Sequence, residues 1–274
     1  HFNSYVEFPL EAIDTIQMAD DFIKTVDSEG NVLPDAYNPQ TGEIMGDIEW
    51  NELVTDLKKT EQLKSISLYF QLMNDRPEEF ANTGLINIEK NIDKFMVAAQ
   101  VLNKPVGVVY ESKYHLMVVD ICIGKNGYYT YERIIPKIQG IAVAVLAEWS
   151  GRFFLLKQYR HALRDWQYAI PRGFAKDGLS GKDNAVKNVI EKTGCTVSNI
   201  TYLGTTVADS GLSGTKVAVY HAKCSEPDFK YGTGNAAQLV SVKPEELKKM
   251  IHDGKVTDGF TMTALMMYLA KKTN

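Results

Sequence analysis

One apolar run constrains the fold of this chain more than any other feature. Residues 140–149 read GIAVAVLAEW, with apolar side chains at almost every position of a strand-length segment. A strand without polar alternation is typical of a place in a sheet that is buried on both faces. Strand-like segments surround it from about residue 106 onward, and helix-like segments lie between and after them. This pattern predicts a mixed α/β or α+β domain over residues 106–274.

The first 105 residues have a different pattern, which predicts a mostly helical accessory region. Segments 11–26, 47–73 and 86–104 carry apolar residues at helical spacing, and Gly, Pro, Asn and Asp cluster in residues 27–47. Because the sequence shows neither a glycine-rich phosphate loop nor a His/Cys cluster here, it assigns no chemistry to this region. In the second helical segment, the residues expected to face a core are Leu53, Leu57 and Leu63.

Charge divides at the same boundary. Residues 1–105 hold 8 Lys and Arg against 19 Asp and Glu, whereas residues 106–274 hold 22 against 15. The positive C-terminal part can attract an anionic ligand, or the two parts can attract each other. The acidic N-terminal part argues against a nucleic-acid surface.

Cysteine content and hydropathy limit the cellular setting. The three cysteines, Cys122, Cys195 and Cys224, form no C-x-x-C pair, so we expect small buried thiols in a reducing compartment. No apolar run reaches the length of a membrane span, and the first residues do not read as a signal peptide. The expected location is cytoplasmic, without a membrane partner.

Residues 171–197, PRGFAKDGLSGKDNAVKNVIEKTGCTV, read as a turn, a capped helix and a stop. Ser180 and Asp183 resemble a capping box, and Gly194 suits the left-handed position that ends a helix. The helix is expected to run from about Gly181 to Lys192. Its expected buried stripe consists of Ala185, Val186, Val189 and Ile190, and its expected opposite side of Lys187, Asn188, Glu191 and Lys192.

The opposite side of this helix has the spacing of a metal-binding face. Positions 188, 191 and 192 are separated by three and four residues, so their side chains converge. Mg²⁺ prefers carboxylates and phosphate oxygens in such a place. Here the face offers one carboxylate, one amide and one ammonium.

At these positions the sequence resembles the Nudix family, whose box is written GX5EX7REUXEEXGU, with U a bulky apolar residue. The spacing is intact: the first Gly of the box falls on Gly173 and the last on Gly194. Of the five charged signature residues only Glu191 is unchanged, and Lys187 keeps the charge of the arginine. The five charged positions fall on Leu179, Lys187, Asn188, Glu191 and Lys192.

Flanking segments are similar to the ADP-ribose pyrophosphatase branch of that family. FFLLKQYRHAL at 153–163, YLGTTVADSGLSGTKVAVYHAKC at 202–224 and IHDGKVTDGFTMTALMMYLA at 251–270 occur in the branch's order. The resemblance covers about residues 108–272 and implies an α/β/α sandwich with a mixed sheet. It also implies that the strand pair at 109–134 can be shared between subunits of a homodimer.

The resemblance implies a site whose carboxylates are mostly replaced. In the family, the residues at the places of Asn188, Glu191 and Lys192 are metal ligands or the base, so Glu191 is the candidate catalytic residue and ligand for Mg²⁺ or Mn²⁺. Ala169 stands where the branch tends to have another Glu. An ammonium at Lys192 can instead replace the charge of a metal ion and contact a diphosphate. The candidate ligand-binding residues are Arg160, Arg172, Gly173, Lys187, Asn188 and Lys192.

Three functions stay open from the sequence. The first is a binding module for an ADP-ribose-like or other nucleoside diphosphate, with weak or no hydrolysis. The second is a metal-dependent hydrolase of such compounds that uses Glu191 with Asp177 or Asp209. The third is an interaction protein without a ligand. For Arg172 and for Lys187, a structural ion pair is as good an explanation as a contact with phosphate.

Overall fold

The computed structural model describes residues 47–228 and 237–272, and contacts divide the chain into two units. The described part of the first comprises residues 47–81 and 105–107, and the second comprises the remainder. The helix expected at 11–26 and most of the loop expected at 27–47 lie outside the described residues. Among the described helices, none has both the length and the apolar character required to cross a bilayer.

The first unit is built on one long helix, α1 (Asp47–Asp75), followed by a 3₁₀ turn at Pro77–Phe80. The expected helix over 47–73 is confirmed, but Leu63 is 54% exposed rather than in a core. The reason lies in the adjacent face, where Gln62 and Ser65 both donate hydrogen bonds to the Val106 carbonyl. The buried apolar side chains of the unit are Ile66, Tyr69, Leu72, Met73, Phe80 and Val106.

The second unit begins earlier in the chain than the boundary expected at residue 105. Residues 82–104 belong to it because Asn87 and Ile88 pair with Ile123 and Cys122 in a four-stranded sheet. The tight turn expected between the next two strands is present, since Gly124 pairs with Gly127. The elements of this part are β1 (Asn87–Ile88), α2 (Ile92–Leu102), β2 (Gly107–Glu111), β3 (His115–Gly124) and β4 (Gly127–Pro136).

A seven-stranded mixed sheet forms the rest of the second unit. Its central order is β11-β6-β5-β10-β9, with β7 paired to β6 and β8 to β5. The β5 and β10 strands are parallel, and the other pairs are antiparallel. The elements are β5 (Ala142–Trp149), β6 (Arg152–Arg160), β7 (Asp165–Ala169), β8 (Arg172–Gly173), α3 (Gly181–Thr193), β9 (Val197–Val207), β10 (Lys216–Cys224), β11 (Ala237–Val242), α4 (Pro244–His252) and α5 (Gly259–Lys272).

The apolar run of β5 is explained by the two helical layers around it. Ala144 and Leu146 pack into a core with residues of α4 and α5. Val143, Val145 and Ala147 point the other way and pack with residues of α3. Successive side chains of a strand point to opposite faces, so an apolar residue is needed at every position. The expected mixed α/β domain is confirmed.

A buried polar network fastens the C-terminal end of α5 to the sheet. Glu148, at the end of β5, contacts His221 Nε2 at 2.8 Å and accepts a hydrogen bond from Lys223 Nζ at 2.6 Å. Tyr268 of α5 donates its hydroxyl to the same carboxylate at 3.3 Å. Burial lowers the pKa of His221, while the contact with Glu148 opposes that shift. Burial opposes ionisation of Glu148, but the bonds from Lys223 and His221 leave its pKa lowered.

This network predicts a loss of stability on acidification. Both pKa values are lower in the folded chain than their ordinary values of 6.5 for His221 and 4.5 for Glu148. The unfolded chain therefore binds more protons, and the free energy of unfolding falls as the pH drops below about 6.5, with a slope of up to about 1.4 kcal/mol per pH unit for one proton. Urea unfolding between pH 7.5 and 5 is the measurement. His221→Gln should flatten the slope, whereas the exposed control His252→Gln should not; equal slopes in both variants would contradict the assignment.

Candidate functional site

A cavity of 440 Å³ lies beside the N-terminal end of α5. Arg160, at the end of β6, and Arg172, in β8, both line it. Asp258, directly before α5, lies in the same wall. The structure thus brings two of the predicted ligand-binding arginines into one site. The remaining lining residues are Ala162, Leu163, Gln167, Thr206, Val207, Ala208, Gly259, Phe260 and Thr263.

Arg172 is held in place by the first turn of α5. Its Nη1 lies 3.0 Å from Asp258 Oδ1, and its guanidinium carbon lies 5.2 Å from the centre of the Phe260 ring. Asp258 is almost fully buried. An ion pair with one buried partner and an aromatic ring beside the guanidinium restrict how Arg172 can turn. Arg172 therefore forms a structural ion pair, which is one of the two roles expected for it, and it also lines the cavity.

Asp258 is itself fixed by hydrogen bonds. Its Oδ2 accepts from the Thr261 backbone N–H at 3.0 Å and from the Thr261 hydroxyl at 2.7 Å, as expected of an N-cap residue. The Thr261 hydroxyl oxygen accepts in turn from the Ile170 backbone N–H at 3.0 Å. This chain of bonds joins the start of α5 to the segment between β7 and β8. The carboxylate that orients Arg172 is thus anchored at both of its oxygens.

Arg160 has no comparable partner in the described part of the chain. Its Nε is buried and makes no hydrogen bond there. Burial lowers the pKa of Arg160, and the like charge of Arg172 lowers it further, while Asp258 partly compensates. A buried donor without an acceptor costs about 1–3 kcal/mol, and more when it is charged. An anion in the cavity would supply the opposite charge that Arg160 lacks.

The helix of the Nudix-like motif forms as expected at both ends. The Ser180 hydroxyl oxygen accepts from the Asp183 backbone N–H at 3.1 Å, and the Ser180 hydroxyl donates to the Asp183 carboxylate at 2.6 Å. Gly194 ends α3 with a φ of 69° and donates its N–H to the Ile190 carbonyl. This region therefore has the local geometry that its spacing predicts.

The prediction that Asn188 lies on the outer side of α3 is wrong. Asn188 is 3% exposed, and its Nδ2 donates to Asn184 Oδ1 at 2.9 Å. Asn184 Nδ2 donates to the Phe174 and Ile141 carbonyls. Because two amides make these buried bonds, the helix turns its Asn184–Asn188 side inward, and Ile190, expected in the apolar stripe, is left 42% exposed.

Gly173 is packed directly against that buried amide. A Cβ built at residue 173 would lie 2.5 Å from Asn188 Nδ2 and closer still to its Oδ1. The leading glycine of the motif therefore makes room for Asn188. In this structure the two predicted ligand-binding residues contact each other and do not line the cavity.

The charged side chains of α3 do not form a metal cradle. Glu191 accepts bonds from Lys176 Nζ at 2.9 and 3.1 Å, so its carboxylate is paired with a lysine that lies before the helix. Lys187 is exposed, and neither it nor Lys192 lines the cavity. Among the described residues there is no group of three or more His, Cys, Asp or Glu side chains able to hold a metal ion. The residues present do not fit Mg²⁺ or Mn²⁺, and the catalytic role of Glu191 stays a prediction.

Asp258, Thr261 and Phe260 were not among the predicted site residues. A signal for the first two was available, since an Asp three residues before a Thr at the start of an apolar helical pattern is typical of an N-cap. Asp209, proposed as a substitute acid, is exposed in a turn, where its side chain accepts from the Gly211 N–H at 3.0 Å. It does not line the cavity, and neither does Asp177.

Comparisons with known proteins give a fold but no sequence relative. No family model matches the chain, and no curated protein matches it. Among solved structures, the crystal structure of an ADP compounds hydrolase is similar, with a TM-score of 0.53 and 17% identity. The similarity covers 60% of this chain and 89% of that one. The mixed-sheet domain therefore has a fold similar to that of this hydrolase structure.

Gly173→Ala should destabilise the second unit. The added methyl group meets the buried Asn188 amide, and overpacking of this kind costs about 1–3 kcal/mol. Urea unfolding measures the change. Gly214→Ala is the matched control, because a Cβ at residue 214 meets nothing within 4 Å.

The same experiment has an internal check. Adding Asn188→Ala to the Gly173→Ala chain should cost less than Asn188→Ala alone, because the two side chains then no longer collide. Equal unfolding midpoints for the Gly173→Ala and Gly214→Ala chains would show that the contact is relieved without cost.

Proposed function

We propose that this protein binds an ADP-ribose-like nucleoside diphosphate in the cavity between Arg160 and Arg172, with weak or no hydrolysis. The observation that carries the proposal is the Arg160 guanidinium, whose residue lines the cavity and has no ion-pair partner among the described residues. A guanidinium presents a planar fork of donors that matches phosphate oxygens. The ligand would supply the opposite charge that Arg160 lacks.

The charge and size of the cavity support a small polyanion. Two guanidinium groups face one carboxylate, Asp258, so one positive charge is uncompensated. The N-terminal end of α5 adds the partial positive charge of its backbone dipoles. A volume of 440 Å³ falls within the range of about 300–1,000 Å³ that is typical of small-molecule sites. The similarity of the fold to an ADP compounds hydrolase supports the same ligand class.

The chemistry of α3 supports binding over turnover. A metal-dependent hydrolase needs several oxygen ligands around its cation. Here the Glu191 carboxylate is paired with Lys176, and the Asn188 amide is buried in a bond to Asn184. The cytoplasmic setting and the homodimer also remain predictions.

Calorimetric titration with ADP-ribose tests the proposal. Binding should occur in EDTA and should not require Mg²⁺. Arg160→Gln should weaken it at least tenfold, because a charge-assisted hydrogen bond is worth about 1.5–3 kcal/mol. Arg164→Gln is the matched control, since Arg164 lies in the turn after β6 but does not line the cavity. Thermal unfolding of each variant confirms that it is folded.

Other outcomes separate the alternatives. If chromatography shows that AMP is released and that the release depends on Mg²⁺ or Mn²⁺, the protein is a hydrolase. Binding that is weakened by Lys192→Glu but not by Arg160→Gln would move the ligand to α3. If no heat of binding is measured with ADP-ribose, ADP or ribose 5-phosphate, the third function, an interaction protein without a ligand, is favoured.

A further inference from the structure

Two cysteines that are far apart in sequence meet on the α3 side of the main sheet. Cys195 follows the glycine that ends α3, and Cys224 is the last residue of β10. The strands β9 and β10 are antiparallel neighbours in which Cys224 pairs with Val197, two residues beyond Cys195. Cys195 belongs to the apolar cluster on that face of the sheet, Cys224 packs against the same cluster, and both are free thiols.

The surroundings of the pair are polar for a core position. Cys195 Sγ lies 2.7 Å from the Thr193 hydroxyl, which donates to the Val189 carbonyl at 2.8 Å. Cys195 is buried, whereas Cys224 is partly exposed. Cys224 is thus the residue of the pair that solvent reaches, and Cys195 is enclosed.

The contact also changes the acidity of both thiols. The hydrogen bond with Cys224 lowers the pKa of Cys195 to about 7, against the effect of burial. The same bond, together with burial, raises the pKa of Cys224. The pair therefore loses one proton near neutral pH and retains the second between the two sulfurs. A thiolate, which is the reactive form of cysteine, is available under ordinary conditions.

We propose that Cys195 and Cys224 form a reversible redox site that hydroperoxides convert to a disulfide. Cys224, the partly exposed residue, passes its proton to the Cys195 thiolate and attacks one oxygen of hydrogen peroxide as a thiolate. The O–O bond breaks, and after protonation of the leaving oxygen a sulfenic acid on Cys224 and one water result. The Cys195 sulfur then attacks the Cys224 sulfur, the S–O bond breaks, and the leaving oxygen, which already carries one proton, takes up the Cys195 proton to depart as a second water. Two thiols lose two hydrogens and two electrons in total, and the peroxide is reduced to two waters. The product links the end of α3 to the end of β10.

Peptide mapping of the full chain tests this site directly. The protein is treated with hydrogen peroxide, blocked with iodoacetamide and digested with trypsin without reduction. The expected product is a disulfide between peptide 193–216, which contains Cys195, and peptide 224–230, which contains Cys224. The intact mass should fall by about 2 Da, since two hydrogens are lost, and alkylatable thiols should decrease from three to one. Dithiothreitol should restore all three.

Variants then assign the sulfurs. Cys224→Ser should abolish the mass decrease, and Cys122→Ser, on the other sheet, should retain it. Oxygen addition to single cysteines without the linked peptides would overturn the proposal, as would a disulfide that includes Cys122 or joins two chains. The wild-type peptide map decides the question even if a variant fails to fold. The ligand proposed for the arginine cavity plays no part in this experiment.

Discussion

The buried carboxylate of Asp258 is the interaction on which the candidate site depends. One of its oxygens caps α5 through Thr261, and the other holds Arg172 at the cavity. A carboxylate this deeply buried is tolerated because both oxygens are bonded and a positive charge lies beside it. With Arg172 neutralised in this way, the free positive charge of the cavity is that of Arg160. The ion pair between Asp258 and Arg172 therefore both stabilises the fold and leaves Arg160 as the arginine available to a ligand.

The site and the motif helix lie on different layers of the sandwich. The α3 helix packs on one face of the sheet through Ala185 and Val189, whereas α5, whose first turn borders the cavity, packs on the other. Arg172 and Gly173 are adjacent in β8 yet serve different layers: the arginine lines the cavity and the glycine accommodates Asn188. Changes to the charged side chains of α3 can therefore leave the arginine cavity intact, because no residue of α3 lines it.

Local signals predicted this fold well because they depend on neighbours in sequence. The cap at Ser180, the stop at Gly194 and the doubly buried β5 all follow from short-range rules. Asn188 could not be placed in the same way, since its burial depends on an amide partner at residue 184 and on carbonyls from two other segments. The prediction that Leu63 faces a core was wrong for a similar reason, because the segment at residue 106 covers the neighbouring face of α1.

Only part of the site could be predicted from the sequence. Arg160 and Arg172 were identified from motif positions, but their meeting with Asp258 joins segments about a hundred residues apart, which no local pattern reveals. No local pattern reveals the proximity of Cys195 and Cys224 either, because a strand pairing brings the two together. The fold is similar to that of a solved structure although the sequence matches no family model.

Helix α5 is fastened at both ends. At its start, Asp258 and Thr261 tie it to Arg172 and Ile170. Near its end, Tyr268 reaches the Glu148 carboxylate, and Lys271 Nζ donates to the Tyr202 carbonyl at 2.7 Å. Bonds at both ends restrain this wall of the cavity against outward movement. We therefore expect the cavity to prefer ligands whose length and charge spacing already match it.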